Sequence, residues 1–142
     1  MELRPLGTLA LTFAPDRLFV LGATPHGTRI IQEIASGELT GDRVKATLKG
    51  AAAADWATLG DGGLARFDIR LLLETADGAL VYLPYTGKAD WSGGAAQAPI
   101  FAVAQFETAD ERYSWLNAIQ VVGEGRIAAD GTGVTYQLFE LG

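Results

Sequence analysis

Residues 64–85 read LARFDIRLLLETADGALVYLPY and form the clearest structural unit of the sequence. In residues 64–74 apolar side chains alternate with mostly charged ones, which places the two sets on opposite faces of a β-strand. The apolar set is Ala65, Phe67, Ile69, Leu71 and Leu73, and the other set is Arg66, Asp68, Arg70, Leu72 and Glu74. Asp77-Gly78 tolerates the positive φ angles of a tight turn, so the stretch predicts a β-hairpin.

Short apolar runs separated by turn residues continue on both sides of this hairpin. This pattern is typical of a β-barrel or sandwich and not of long helices. The predicted strands are 6–13, 17–21, 28–39, 44–48, 100–106, 120–127 and 134–141. With the hairpin they give about eight or nine strands. We therefore predict an all-β fold, a single antiparallel β-barrel domain over residues 1–142.

Three segments do not follow the strand pattern. Thr108 followed by Glu111 has capping-box spacing, which predicts one short helix near 109–117. Residues 51–54 are four alanines, too few for an isolated helix, so a loop is predicted there. Residues 88–99 are rich in small residues and predict a mobile loop, with a lid over a cavity as the alternative.

Composition limits the partners and the compartment. The formal net charge is −6, and such a surface repels the phosphates of nucleic acid and of anionic membranes. The chain contains no cysteine, begins without a basic and apolar leader, and has no apolar run of about 20 residues. We expect a cytoplasmic protein that binds neither nucleic acid nor a membrane.

Few residues are suited to chemistry. His26, the one histidine, lies in a loop-like segment and could act as a general base, although a solvated turn histidine is the simpler interpretation. Asp68 and Arg70 share a strand face and could hold a carbonyl or a carboxylate, but an exposed charge ladder has the same pattern. Aromatic side chains with polar neighbours could bind a flat ligand. They are Trp56, Tyr82, Tyr113 and Trp115, together with Asn117.

Cofactor motifs are missing from the sequence. No glycine-rich loop has the strand–loop–helix context of a phosphate site, and one histidine without cysteine disfavours a transition metal. The acidic residues are scattered and lack the spacing of a calcium loop. We predict no cofactor and no metal.

The order of several short motifs resembles domain-of-unknown-function family 3237. They are Ser36 to Gly41, Ala54-Asp55-Trp56, Phe67 to Arg70, Leu73 to Tyr82, Arg112 to Asn117, Gly123-Glu124-Gly125 and Val134-Thr135-Tyr136. The resemblance covers nearly the whole chain. It implies a lipocalin-like barrel with a central cavity, often a dimer, without an obligatory cofactor. Fungal proteins that resemble this family have been linked with cyclising or isomerising phenolic compounds.

Three functions follow as hypotheses. The first is a cofactor-independent isomerase, cyclase or lyase that acts by acid–base chemistry on a small aromatic or carbonyl compound in the barrel cavity. His26 or Asp68 would then be the base and Arg70 would stabilise negative charge on oxygen. The second is a non-catalytic carrier of small molecules, and the third is a barrel filled by its own side chains.

Overall fold

The computed structural model describes residues 1–142 and contains nine strands and one short 3₁₀-helix. The strands are β1 (Leu3–Thr24), β2 (Gly27–Thr40), β3 (Lys45–Leu48), β4 (Ala54–Leu59), β5 (Leu64–Thr75), β6 (Leu80–Asp90), β7 (Ile100–Ala104), β8 (Val121–Ile127) and β9 (Gly133–Leu141). The helix spans Glu111–Ala118. No helix is long and apolar enough to cross a membrane.

The strands close into an antiparallel barrel. β1, β9, β8, β7, β6 and β5 are successive neighbours, and β2 pairs with β1. β3 and β4 each connect β2 to β5, so they share one position between these two strands. The result is a closed eight-stranded barrel with one extra strand, and the prediction of an all-β antiparallel barrel is confirmed.

The alternation in β5 determines which side chains fill the barrel. Ala65, Phe67 and Ile69 are buried, whereas Arg66 and Asp68 between them are exposed. β6 continues the pattern, since each partner of an inward residue on β5 also points inward. The predicted hairpin 64–85 is therefore confirmed, with its turn at residues 76–79. Burial of each large apolar side chain contributes about 1.5–3 kcal/mol to stability.

β1 is one continuous strand, so the prediction of separate strands at 6–13 and 17–21 was wrong. Phe13 pairs with Ile34 and Leu18 pairs with Gln32, which leaves the intervening residues of β1 as a bulge. The Gln32 amide nitrogen donates to the Ala14 carbonyl oxygen at 2.9 Å, so part of the bulge's backbone is satisfied by a side chain. Pro15 lies between the two predicted strands, where proline favours a turn, but pairing with β2 continues the strand through it.

The prediction of a loop at 51–54 was wrong in part, because β4 begins at Ala54. The strand over 54–59 was missed altogether. Its sequence ADWATL mixes helix-favouring Ala and Leu with strand-favouring Trp and Thr. The strand is ordered by two long neighbours, β2 on one side and β5 on the other. The predicted total of about eight or nine strands agrees with the nine observed because counting β1 as two strands offset the missing β4.

The two ends of the barrel differ. The helix lies at the end of the barrel that contains the β5–β6 turn, where Tyr113 contacts Asp77. Its buried Leu116 closes that end of the core. The predicted short helix is present, but Asp110 is its N-cap and Thr108 is not. The other end is surrounded by the β4–β5, β6–β7 and β8–β9 connections. Within the predicted loop 88–99, β6 continues to Asp90 and the Trp91 indole donates to the Ala98 carbonyl at 2.9 Å.

Candidate functional site

A cavity of about 160 Å³ occupies the barrel lumen towards the end opposite the helix. Apolar and aromatic side chains form nearly all of its wall, and the wall contains no Lys, Arg or His. The lining residues are Leu11, Phe13, Leu18, Ile30, Gln32, Ile34, Asp55, Ala57, Leu59, Phe67, Ile69, Tyr85, Trp91, Ile100, Ile127, Val134 and Tyr136. A carboxyl group in such a wall is unusual and marks a candidate site.

Asp55 lies on β4 with its side chain on the lumen side of the strand, alternating with the exposed Trp56. The β4–β5 ladder is interrupted between Asp55 and Thr58, and Asp55 Oδ1 accepts a hydrogen bond from the Asp68 backbone N–H at 3.1 Å. Burial raises the pKa of Asp55 to about 7, against the lowering effect of this hydrogen bond, and the charge of Asp68 raises it further. Asp55 can therefore both give and take a proton near neutral pH.

Tyr85 and Tyr136 place two phenol groups in the same cavity. Their rings meet edge to face, with centroids 5.1 Å apart and an interplanar angle of 76°. The Tyr85 hydroxyl is buried and has no hydrogen-bond partner in the protein. Burial raises the pKa of both phenols. The neighbouring Tyr136 hydroxyl raises the pKa of Tyr85 further, and Tyr85 lowers that of Tyr136, so the two hydroxyls lie near each other without forming a hydrogen bond. The charge of Asp55 also raises the pKa of each phenol. Both hydroxyls thus stay protonated at neutral pH and can act as donors.

The register of three adjacent strands explains why Asp55 and Tyr85 face the same space. Asp55 pairs with Ile69 on β5, and Ile69 pairs with Tyr85 on β6. All three belong to one cross-strand row and line the cavity. Side chains of such a row point to the same side of the sheet.

Gly125 makes room for Tyr136 on the opposite wall. The two residues are register partners on β8 and β9. A Cβ atom at Gly125 would collide with the Tyr136 ring and would lie 2.9 Å from its Cζ atom. The absence of a Cβ atom at Gly125 therefore allows the Tyr136 ring to occupy this position in the lumen.

The other polar side chains of the wall already have partners. The Gln32 amide nitrogen donates to backbone carbonyls of the β1 bulge, and the Trp91 indole donates to Ala98. The structure also contains no group of three or more His, Asp or Glu side chains placed to hold a metal ion. The chemistry of the cavity therefore rests on one carboxyl group and two phenols, and this set suits proton transfer.

None of the eight site residues predicted from the sequence lines this cavity. His26, Trp56 and Asp68 lie together instead along an outer groove of about 1040 Å³, which also contains Arg29, Arg66 and Lys88. Arg70 is exposed on the same outer face of β5 but does not line the groove. Asp68 and Arg70 are both exposed on this face and form no ion pair with each other. Their arrangement corresponds to the exposed row of charges that the sequence also allowed.

The remaining predicted residues lie near the helix. Tyr82 is on the outer side of β6, where its backbone pairs with Glu107. The Tyr113 hydroxyl donates to Asp77 Oδ1 at 2.9 Å. Trp115 packs under the Arg43 guanidinium, 4.3 Å from the ring centroid, and Asn117 exchanges two hydrogen bonds with the Thr108 backbone. These contacts hold the helix against the closed end of the barrel.

Sequence reasoning missed Asp55, Tyr85 and Tyr136. For Tyr85 a signal was present, because Val81, Leu83 and Tyr85 alternate in phase with the buried face of the hairpin, whereas Tyr82 is out of phase. For Asp55 no local signal exists, since its face depends on the position of β4 between β2 and β5.

Comparison with known proteins supports the fold and identifies the family. The chain is 31% identical to a β-barrel-like protein from Acinetobacter baumannii AYE, with a TM-score of 0.86 and coverage of 99% of this chain and 96% of that one. A conserved protein of unknown function from Rhodopseudomonas palustris is 20% identical (TM-score 0.85, coverage 98% and 96%). An enzyme from Penicillium herquei is 23% identical (TM-score 0.74, coverage 98% and 94%). No curated protein matches the chain. A family model described as protein of unknown function (DUF3237) matches residues 1–141, and the chain therefore belongs to this family, as its sequence motifs predicted.

Proposed function

We propose that this protein is a cofactor-independent enzyme that moves a proton on a small aromatic or carbonyl compound inside the barrel, as an isomerase, cyclase or lyase does. The observation that carries the proposal is the Asp55 carboxyl group, whose pKa burial raises to about 7 in an apolar cavity. A general acid–base group works best when its pKa is near the working pH. The phenols of Tyr85 and Tyr136 then supply hydrogen-bond donors for an oxygen that becomes negative.

The structural likeness to an enzyme from Penicillium herquei is compatible with this proposal, because it shows that the same fold can carry an enzyme. At 23% identity it provides no residue or substrate for this chain. The cytoplasmic location stays a prediction from composition, and the homodimer stays a prediction from the family resemblance.

A non-catalytic carrier is the second candidate. It is favoured by the nearly continuous apolar wall of the lumen, which would bind a small apolar molecule without any chemistry. In that case Asp55 would contribute only to the shape and charge of the cavity.

Hydrogen exchange with D₂O distinguishes these functions. The purified protein is incubated in D₂O with phenols, quinones, flavonoids, fatty acids and keto acids, and deuterium in each compound is followed by mass spectrometry. We expect catalysed incorporation that is lost in Asp55→Asn and kept in the control variant Asp42→Asn, which changes an exposed carboxylate in the β2–β3 connection. Saturable binding without incorporation would support the carrier. Incorporation that survives Asp55→Asn but is lost in His26→Ala would move the reaction to the outer groove and overturn the proposal.

A further inference from the structure

The size of the cavity limits what can enter the lumen. Its volume is about 160 Å³. A cavity of about 150 Å³ in another protein accepts benzene, whereas drug-sized ligands occupy about 300–1,000 Å³. The lumen therefore fits one six-membered ring, and a fused two-ring compound exceeds it.

The charge of the wall limits the ligand further. No basic side chain lines the cavity, and Asp55 carries the only ionisable carboxyl group. An anionic ligand would lose its hydration without gaining a cation and would be repelled by ionised Asp55. The same wall accepts an uncharged ring without this cost.

The unpartnered hydroxyl indicates which polar group the ligand carries. The buried Tyr85 O–H forms no hydrogen bond, although the Tyr136 hydroxyl lies near it, and the cost of such a group is up to about 1–3 kcal/mol. A carbonyl oxygen is an acceptor without a proton of its own, so it complements this donor. Tyr136 packs edge-on against the Tyr85 ring, and we expect a small rotation of Tyr136 to give the ligand oxygen access.

We propose that the lumen binds uncharged monocyclic ketones, with the carbonyl oxygen on the Tyr85 hydroxyl and the adjacent C–H group facing Asp55. This inference rests on the proposed function and specifies its substrate class. In the reaction, Asp55 takes the proton from the carbon next to the carbonyl, and the electron pair of the broken C–H bond forms an enolate. The Tyr85 hydroxyl donates a hydrogen bond to the enolate oxygen, and Asp55 returns the proton to the same carbon or to a conjugated one, so no other reactant is consumed.

Calorimetric titration with matched six-membered rings tests the substrate class without requiring turnover. The probes are 2-cyclohexen-1-one and cyclohexanone, methylenecyclohexane without the oxygen, cyclohexanecarboxylate, cyclohexylamine, and the two-ring ketone 1-tetralone. We expect the two monocyclic ketones to bind most tightly. Tyr85→Phe should weaken ketone binding about 3- to 10-fold, as loss of one hydrogen bond does, and leave methylenecyclohexane unchanged. The outward variant Tyr82→Phe is the control and should bind all probes like the wild type.

The inference is overturned if the carboxylate, the amine or 1-tetralone binds as tightly as the ketones, if Tyr85→Phe has no effect, or if no probe binds. These failures differ from failure of the proposed function. Ketones that bind as expected but exchange no proton with D₂O would overturn the enzyme and leave the ligand class intact. Asp55-dependent exchange on larger or charged compounds would overturn the ligand class and leave the enzyme intact.

Discussion

Replacing Asp55 by Asn should remove a strong pH dependence of stability. The pKa of Asp55 rises from 3.8 to about 7 on folding, so between these pH values the folded protein holds a proton that the unfolded chain has released. The free energy of unfolding therefore falls as the pH rises through this interval, and the interval corresponds to about 4 kcal/mol as an upper value. Between pH 5 and pH 8 the loss is about 2.5 kcal/mol. Asn cannot titrate, yet its side-chain oxygen can still accept the Asp68 N–H.

Urea denaturation of both proteins at pH 5, 6, 7 and 8 measures this effect. All other titrating groups are shared, so the difference between wild type and Asp55→Asn isolates the contribution of Asp55. The unfolding free energy of the wild type should fall relative to that of the variant as the pH rises. Asp42→Asn, which changes an exposed carboxylate in the β2–β3 connection, is the control and should follow the wild type. Parallel pH profiles of wild type and Asp55→Asn would show that Asp55 is ionised and well solvated in the folded state, which would refute the argument from burial.

Three further substitutions test the rest of the cavity by urea denaturation. Tyr85→Phe removes a hydroxyl without a partner and should raise the unfolding free energy by about 1 kcal/mol, and a decrease would show that the hydroxyl is hydrogen-bonded. Gly125→Ala places a methyl group against the Tyr136 ring and should cost about 1–3 kcal/mol, whereas Gly62→Ala, which meets no atom within 4 Å, should change stability by less than about 0.5 kcal/mol. Equal effects of Gly125→Ala and Gly62→Ala would contradict the close contact between Gly125 and the Tyr136 ring. Trp91→Ala removes a half-buried ring from the cavity wall and should cost about 3 kcal/mol. The enlarged cavity should then bind 1-tetralone, and continued exclusion of 1-tetralone in titrations would show that Trp91 does not set the size limit.

The parts of the fold that depend on neighbouring residues in the chain could be predicted from the sequence. The hairpin of β5 and β6 follows from alternation and from the Asp77-Gly78 turn, both of which are local signals. The course of β1 could not be predicted, because the bulge around Pro15 is held by pairing with β2 and by Gln32. β4 is also specified by its neighbours, since its sequence ADWATL combines residues that favour strands with residues that disfavour them.

The candidate site follows the same division. The inward direction of Tyr85 can be derived from the alternation of its own hairpin. The position of Asp55 opposite Ile69, and hence near Tyr85, depends on closure of the barrel through β4. The motif Asp55-Trp56 predicts a ligand-binding residue, and its aromatic ring favours Trp56 over Asp55 for that role. The structure places Trp56 on the outer face and Asp55 in the lumen. Which of the two points inward depends on which face of β4 is buried, and the sequence of this six-residue strand does not indicate that face.

Two costs to folding coincide in the lumen and together argue for a binding site. Elsewhere in the core, buried polar side chains have partners: Thr75, for example, donates to Asp77 and accepts from the Ala79 N–H. The one buried side-chain atom without a partner is the Tyr85 hydroxyl, and it lies in the cavity that also contains the carboxyl group with the raised pKa. Phe at position 85 and a smaller apolar residue at position 55 would satisfy the packing without either cost. A neutral ligand that brings an acceptor to the Tyr85 hydroxyl would offset the first cost on binding and would place Asp55 beside the group from which it takes a proton. A ligand bound only by its apolar surface would do neither.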